Sequence, residues 1–115
     1  LVVESIPTYP HLATAQACSA SLTPWLRHPP EGCAQPRQAV EADRKQFKDI
    51  LTRALEGVPD VSRFDTLEEL CDERFCYVNR DGIQMYSDPG HVNTEGSQLI
   101  AAALARRVEL LLAGP

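Results

Sequence analysis

No run of apolar residues in this chain approaches the ~20 needed for a bilayer-spanning helix, so the sequence itself encodes no such helix. A cationic surface is also lacking. Lys and Arg total 11 against 16 Asp and Glu, for a net charge of −5. The basic residues, Arg27, Arg37, Arg44, Lys45, Lys48 and Arg53 among them, are scattered. A nucleic-acid partner needs a cationic face to neutralise phosphates, so no nucleic-acid partner is expected. Neither an initiating Met nor a basic start precedes Leu1-Val2-Val3-Glu4-Ser5-Ile6-Pro7, whereas a secretory leader has a basic stretch ahead of its apolar run. The opening is expected to be a strand, and the chain to begin inside a larger protein. The cysteines lack the two-residue spacing of a zinc knuckle.

What is present fits one small domain. The 115 residues are 43% hydrophobic and 23% charged, ordinary values for a globular protein. A chain of this size buries roughly 65% of its extended surface, enough for a thin core. The four cysteines, Cys18, Cys33, Cys71 and Cys76, allow three connectivities. Cys18–Cys33 with Cys71–Cys76 is favoured, because each bridge closes a short segment within one half of the chain. Such disulfides would place the protein in an oxidising compartment. Four reduced thiols and a zinc site are the alternatives.

The chain reads as alternating elements. Leu1 to Ile6 is a short strand ending at Pro7. The stretch to Pro36 is broken by Pro10, Pro24, Pro29 and Pro30, so it holds no long regular element. A helical turn is expected over His11 to Ser21, with Trp25 packed beneath it. Arg37 to Glu56 is a helix with an apolar stripe of Val40, Phe47, Ile50, Leu51, Ala54 and Leu55. Its charged face (Glu41, Arg44, Lys45, Lys48, Arg53) is expected to be solvated, and Gly57 to stop it. Val58 to Asp65 is a second strand, and strand, helix, strand implies a parallel pair. Thr66-Leu67-Glu68-Glu69 has capping-box spacing for a short helix. Phe75 to Val78 and Ile83 to Tyr86 flank Asn79-Arg80-Asp81-Gly82 as a hairpin. A last helix over Thr94 to Leu112 is capped by Asn93 and buries Ile100, Leu104, Val108 and Leu111. The fold class is α/β, but two parallel strands and two long helices do not complete such a domain.

Chemistry concentrates in Tyr86-Ser87-Asp88-Pro89-Gly90-His91-Val92-Asn93-Thr94-Glu95-Gly96. An acid three residues from a histidine can fix the ring's tautomer and leave its other nitrogen free to take a proton from a nucleophile. Asp-Pro-Gly is equally ordinary turn chemistry, and His91 could be a plain polar residue near a helix start.

A longer series gives the stretch its context. Ile6-Pro7-Thr8-Tyr9-Pro10, the cysteine pair Cys71 and Cys76, the Asp81-Gly82 hairpin, Tyr86-x-Asp88-x-x-His91 and the early helical Gly96 occur in that order. This series resembles the C-terminal SGNH (GDSL-like) hydrolase domain of membrane-bound O-acyltransferases, over the distal half of such a domain. Val92-Asn93 departs from the usual Leu-Ser or Leu-Thr, but Asn93 still suits a helix cap. The resemblance implies an incomplete three-layer α/β/α domain with parallel strands and disulfides, residues 1–115 being its C-terminal portion. It implies that His91 is the general base and acid, that Asp88 orients it, and that no cofactor or metal takes part. It implies an acyl donor and a carbohydrate acceptor, an extracytoplasmic location on a membrane-embedded parent, and pairing of the domain's N-terminal half with the Leu1 to Ile6 edge. The family's Gly-Asp-Ser nucleophile motif is absent. Ser5, Ser19, Ser21, Ser62, Ser87 and Ser97 all lack a preceding Gly-Asp, so the isolated chain is expected to be inactive. A disulfide-bonded binding module or pseudoenzyme, partnered through the same edge, is the alternative.

Overall fold

A computed structural model describes residues 1–10, 18, 32–80 and 82–115. The expectations for His11 to Ser21, apart from Cys18, and for Trp25 lie outside the described residues. In chain order the elements are β1 (Val2–Val3), β2 (Ala34–Pro36), α1 (Arg37–Ala54), β3 (Arg63–Phe64), α2 (Leu67–Leu70), β4 (Phe75–Tyr77), β5 (Asn79–Arg80), β6 (Ile83–Gln84), β7 (Tyr86–Asp88), β8 (His91–Val92) and α3 (Thr94–Ala113). Among the described residues the strands form four two-stranded pairs.

β1 and β3 run parallel, with Val2 opposite Arg63 and Val3 opposite Phe64. The Val2 and Glu4 amides donate to the Ser62 and Phe64 carbonyls at 2.8 and 2.9 Å. This is the parallel pair that the strand–helix–strand order demands, although each strand is shorter than its apolar run. The other pairs are antiparallel: β2 with β4, β5 with β6, and β7 with β8. β5 and β6 pair as a hairpin, so Asn79 and Arg80 belong to a strand rather than to the loop. Gly82 takes the positive φ of 79° that a two-residue hairpin loop requires.

α1 starts on Pro36 without a side-chain cap. The first amide is satisfied instead by the Arg74 carbonyl, which accepts from Arg37 at 2.8 Å. At the other end the helix stops at Ala54 with Leu55 as its C-cap, two residues short of the expected Glu56, and Gly57 adopts φ 77° in the turn that follows. Thr66, by contrast, does not cap α2. The Leu67 amide donates to Asp65 Oδ1 at 3.0 Å, and the Thr66 hydroxyl donates to the Ser5 carbonyl at 2.9 Å. A partner 61 residues away thus displaces the local capping box.

The core surrounds the Cys71–Cys76 bridge and includes Tyr9, Val40, Leu67, Leu70, Val78, Met85 and Tyr86, with Ile6, Val92 and Ile100 packed against it. Two expected stripes are only partly buried. On α1, Val40 is buried but Phe47 and Ile50 are exposed. On α3, Gly96 and Ala103 are buried, while Val108 and Leu111 face outward. Helical periodicity identifies an apolar face but not how much of it meets a partner.

The charged face of α1 also differs from expectation. Arg44 is buried and joins Glu4 Oε2 at 3.3 Å and Asp65 Oδ1 at 2.9 Å. Lys48 reaches Asp65 Oδ2 at 2.7 Å, and Arg63 reaches Glu4 Oε1 at 2.8 Å. A buried carboxylate is tolerated only when paired, and these cations make Glu4 tolerable between β1, α1 and β3.

Candidate active site

Asp88 and His91 face each other across the β7–β8 hairpin, directly paired in its register. The Pro89-Gly90 turn brings them together. The Gly90 amide donates to Asp88 Oδ1 at 2.8 Å, the side-chain-to-backbone turn that Asp favours. His91 Nδ1 lies 2.9 Å from both Asp88 Oδ1 and Oδ2. A carboxylate held at Nδ1 favours the tautomer protonated there and leaves Nε2 as an acceptor.

Both side chains are open to solvent, His91 at 79% and Asp88 at 53% exposure. The Gly90 amide, and then the His91 ring, hold the Asp88 carboxyl below the usual carboxylate range. Asp88 therefore remains an ionised acceptor near neutral pH, the state that orienting a histidine requires.

The hairpin is short, and its neighbours fix it. Tyr86 is buried, and its hydroxyl donates to the Pro7 carbonyl at 2.9 Å. On the α3 side, the Asn93 amide donates to the Met85 carbonyl at 2.9 Å. The Asn93 side chain donates to the Gln84 carbonyl at 2.7 Å and accepts from the Gly96 amide at 3.0 Å. Asn93 therefore caps the helix and ties it to β6 at once. A Cβ on Gly96 would lie 2.3 Å from the Met85 carbonyl oxygen, so glycine is what lets the helix start approach this backbone.

Ser87, the serine nearest in sequence, donates its hydroxyl to the His91 carbonyl at 3.2 Å rather than to the ring. Among the described residues no serine is hydrogen-bonded to the imidazole. The cysteines pair as Cys18–Cys33 and Cys71–Cys76, with S–S distances of 2.14 and 2.04 Å. Among the described residues no cluster of His, Cys, Asp and Glu is arranged to hold a metal ion, and no helix is long and apolar enough to cross a membrane.

The sequence model described as "SGNH domain (fused to AT3 domains)" matches residues 1–106. The chain belongs to this family. No curated protein and no solved structure matches it. Membership in the AT3-fused SGNH domains indicates an acyltransferase- or esterase-type module and supports a membrane acyltransferase parent. The two disulfides are consistent with a domain outside the reducing cytoplasm.

The expected pairing of Asp88 with His91 is present as a side-chain contact, but the hairpin that carries them is not evident in the sequence. Runs of two and three residues are too short to show period-two alternation. The contact between Tyr86 and Pro7 is not evident there either. The signal for it is the Ile6-Pro7-Thr8-Tyr9-Pro10 stretch, which belongs to the resembling series but names no contact partner.

Proposed function

We propose that this chain is part of an extracytoplasmic SGNH-type O-acyltransferase or esterase acting on acyl esters of glycan hydroxyls. The observation that carries this reading is the two-oxygen contact of Asp88 with His91 Nδ1 at 2.9 Å, beside an exposed ring. In the proposed cycle, His91 Nε2 accepts the proton of a serine hydroxyl as its oxygen attacks the acyl carbonyl carbon. The tetrahedral intermediate collapses, the bond to the leaving oxygen breaks, and His91 returns the proton to that oxygen. The resulting acyl-serine is attacked by a sugar hydroxyl, or by water in an esterase. Its proton passes to His91 and then to the serine oxygen. Asp88 orients the ring and stabilises the imidazolium formed in each half.

The serine comes from polypeptide outside these residues, because none of the chain's serines follows Gly-Asp. In this reading residues 1–115 form the C-terminal portion of one three-layer α/β/α domain, whose remainder pairs with the Leu1 to Ile6 edge. Two features support that arrangement. Among the described residues β1 pairs only with β3, and Leu1, Val3, Phe47 and Ile50 are exposed. An open apolar edge normally needs a cover. The domain would be tethered to a membrane-embedded parent on the periplasmic or cell-surface side.

The test is acyl transfer by the full-length protein. His91→Ala and Asp88→Ala should each lower it by orders of magnitude while the protein stays folded, and near-normal transfer by either folded variant would refute the assigned role.

A further inference from the structure

The Asp88–His91 hairpin is too small to hold its own position, since an isolated two-stranded hairpin is marginal in water. Its placement must come from contacts outside it, and the segment leaving β1 supplies them. That segment is fastened almost residue by residue. The Glu4 amide donates to Phe64 at 2.9 Å, and the Ser5 carbonyl accepts from the Thr66 hydroxyl at 2.9 Å. The Pro7 carbonyl accepts from the Tyr86 hydroxyl at 2.9 Å. The Thr8 carbonyl accepts from Gln35 at 2.6 Å. Finally the Tyr9 amide donates to the Pro89 carbonyl at 2.8 Å, at the tip of the turn between Asp88 and His91. The Tyr9 and Tyr86 rings meet edge-on, with centroids 4.6 Å apart, and both are buried.

We propose that Tyr86 is a positioning residue for the reaction, and that with the Pro7 carbonyl and the Tyr9 amide it forms a clamp setting Asp88 and His91 against the carboxyl end of β1. In open α/β sheets the reacting groups gather outside the carboxyl ends of the parallel strands. A nucleophile arriving at that end would meet a histidine whose distance is fixed by Pro7 to Tyr9 rather than by the hairpin. The clamp joins the Ile6-Pro7-Thr8-Tyr9-Pro10 stretch to the Tyr86-x-Asp88-x-x-His91 stretch, 79 residues apart at the Tyr86–Pro7 bond. It rests on the catalytic reading of Asp88 and His91 proposed above.

The test is Tyr86→Phe in the full-length protein, measured beside His91→Ala. The variant keeps the ring and removes only the hydroxyl. Misplacing a catalytic group by about 1 Å can cost about 100-fold in rate. Tyr86→Phe should therefore lower kcat by about 10- to 100-fold, with KM within about twofold, both disulfides intact and an unchanged circular dichroism spectrum. A folded Tyr86→Phe protein with kcat within about twofold of wild type overturns the clamp alone, provided His91→Ala is inactive. An active His91→Ala protein overturns the catalytic reading, and the clamp with it. Hydrogen exchange in the wild-type protein gives a check that needs no variant. The Tyr9 amide should be as protected as the core amides of α1, and exchange at the rate of an open loop would contradict the clamp.

Discussion

Two of the groups that carboxylates and basic side chains form in this chain differ in burial, reach and consequence. Glu4 and Arg44 are nearly sealed, at 3% and 8% side-chain exposure. With Asp65, Arg63 and Lys48 they tie together β1, α1 and β3, from residues up to 59 apart. Asp88 and His91 are three residues apart and mostly solvated. The first group holds opposite charges together in a fixed place, where the cost of desolvation is offset only while every partner remains. The second pairs a carboxylate with the one side chain whose ordinary titration lies near neutral pH, and presents it to solvent. Charge pairing alone therefore does not mark an active site here. The buried cluster supports the fold, and the exposed pair is where the proposed function places proton transfer.

The sharpest way to break that comparison is Asp88→Asn in the full-length protein. The amide cannot enforce the same histidine tautomer, so acyl transfer should fall by about 10³- to 10⁴-fold, with no measurable change in melting temperature. The converse variant is Arg44→Met. Removing one member of a buried ionic group should cost about 3 kcal/mol of stability, read from the denaturant midpoint, while the folded fraction keeps its kcat. A loss of kcat as large as that of Asp88→Asn would erase the distinction between the groups.

Gly96→Ala sits between them in kind. Its Cβ would press on the Met85 carbonyl, and overpacking of this sort costs about 2 kcal/mol. The smallest effect concerns acid. Burial alone would raise the Asp65 carboxyl, but Lys48, the Leu67 amide and Arg44 outweigh it and bring it from 3.8 down to about 2. A carboxyl lowered on folding contributes stability above its unfolded value and loses it as pH falls through the folded one. Between about pH 4 and pH 2 the protein should lose about 1 kcal/mol from this group, allowing for solvent screening. Asp65→Asn should flatten that part of the pH–stability curve.

The parts of the structure that were legible in the sequence are those decided within a few residues. Asp88 with His91, Asn93 with Gly96, and the pairing of β5 with β6 all depend on neighbours close in the chain. The βαβ order also gave the parallel pairing of β1 and β3, because topology leaves little choice. The features that escaped notice depend on distant partners. Arg44 reads as one more exposed cation on an amphipathic helix until Glu4, 40 residues away, is placed beside it. Thr66 reads as a cap until the Ser5 carbonyl takes its hydroxyl. The apolar stripe of α3 reads as buried along its whole length, whereas its last two turns extend beyond the packed core.

In the proposed function Asp88 and His91 act on a serine supplied from elsewhere in the protein. A serine-directed phosphonate probe applied to the full-length protein tests this directly, with the labelled residue located by mass spectrometry. The expected result is labelling of a serine outside residues 1–115, at a rate that collapses in His91→Ala. Labelling of one of this chain's own serines, or labelling indifferent to His91→Ala, would contradict it.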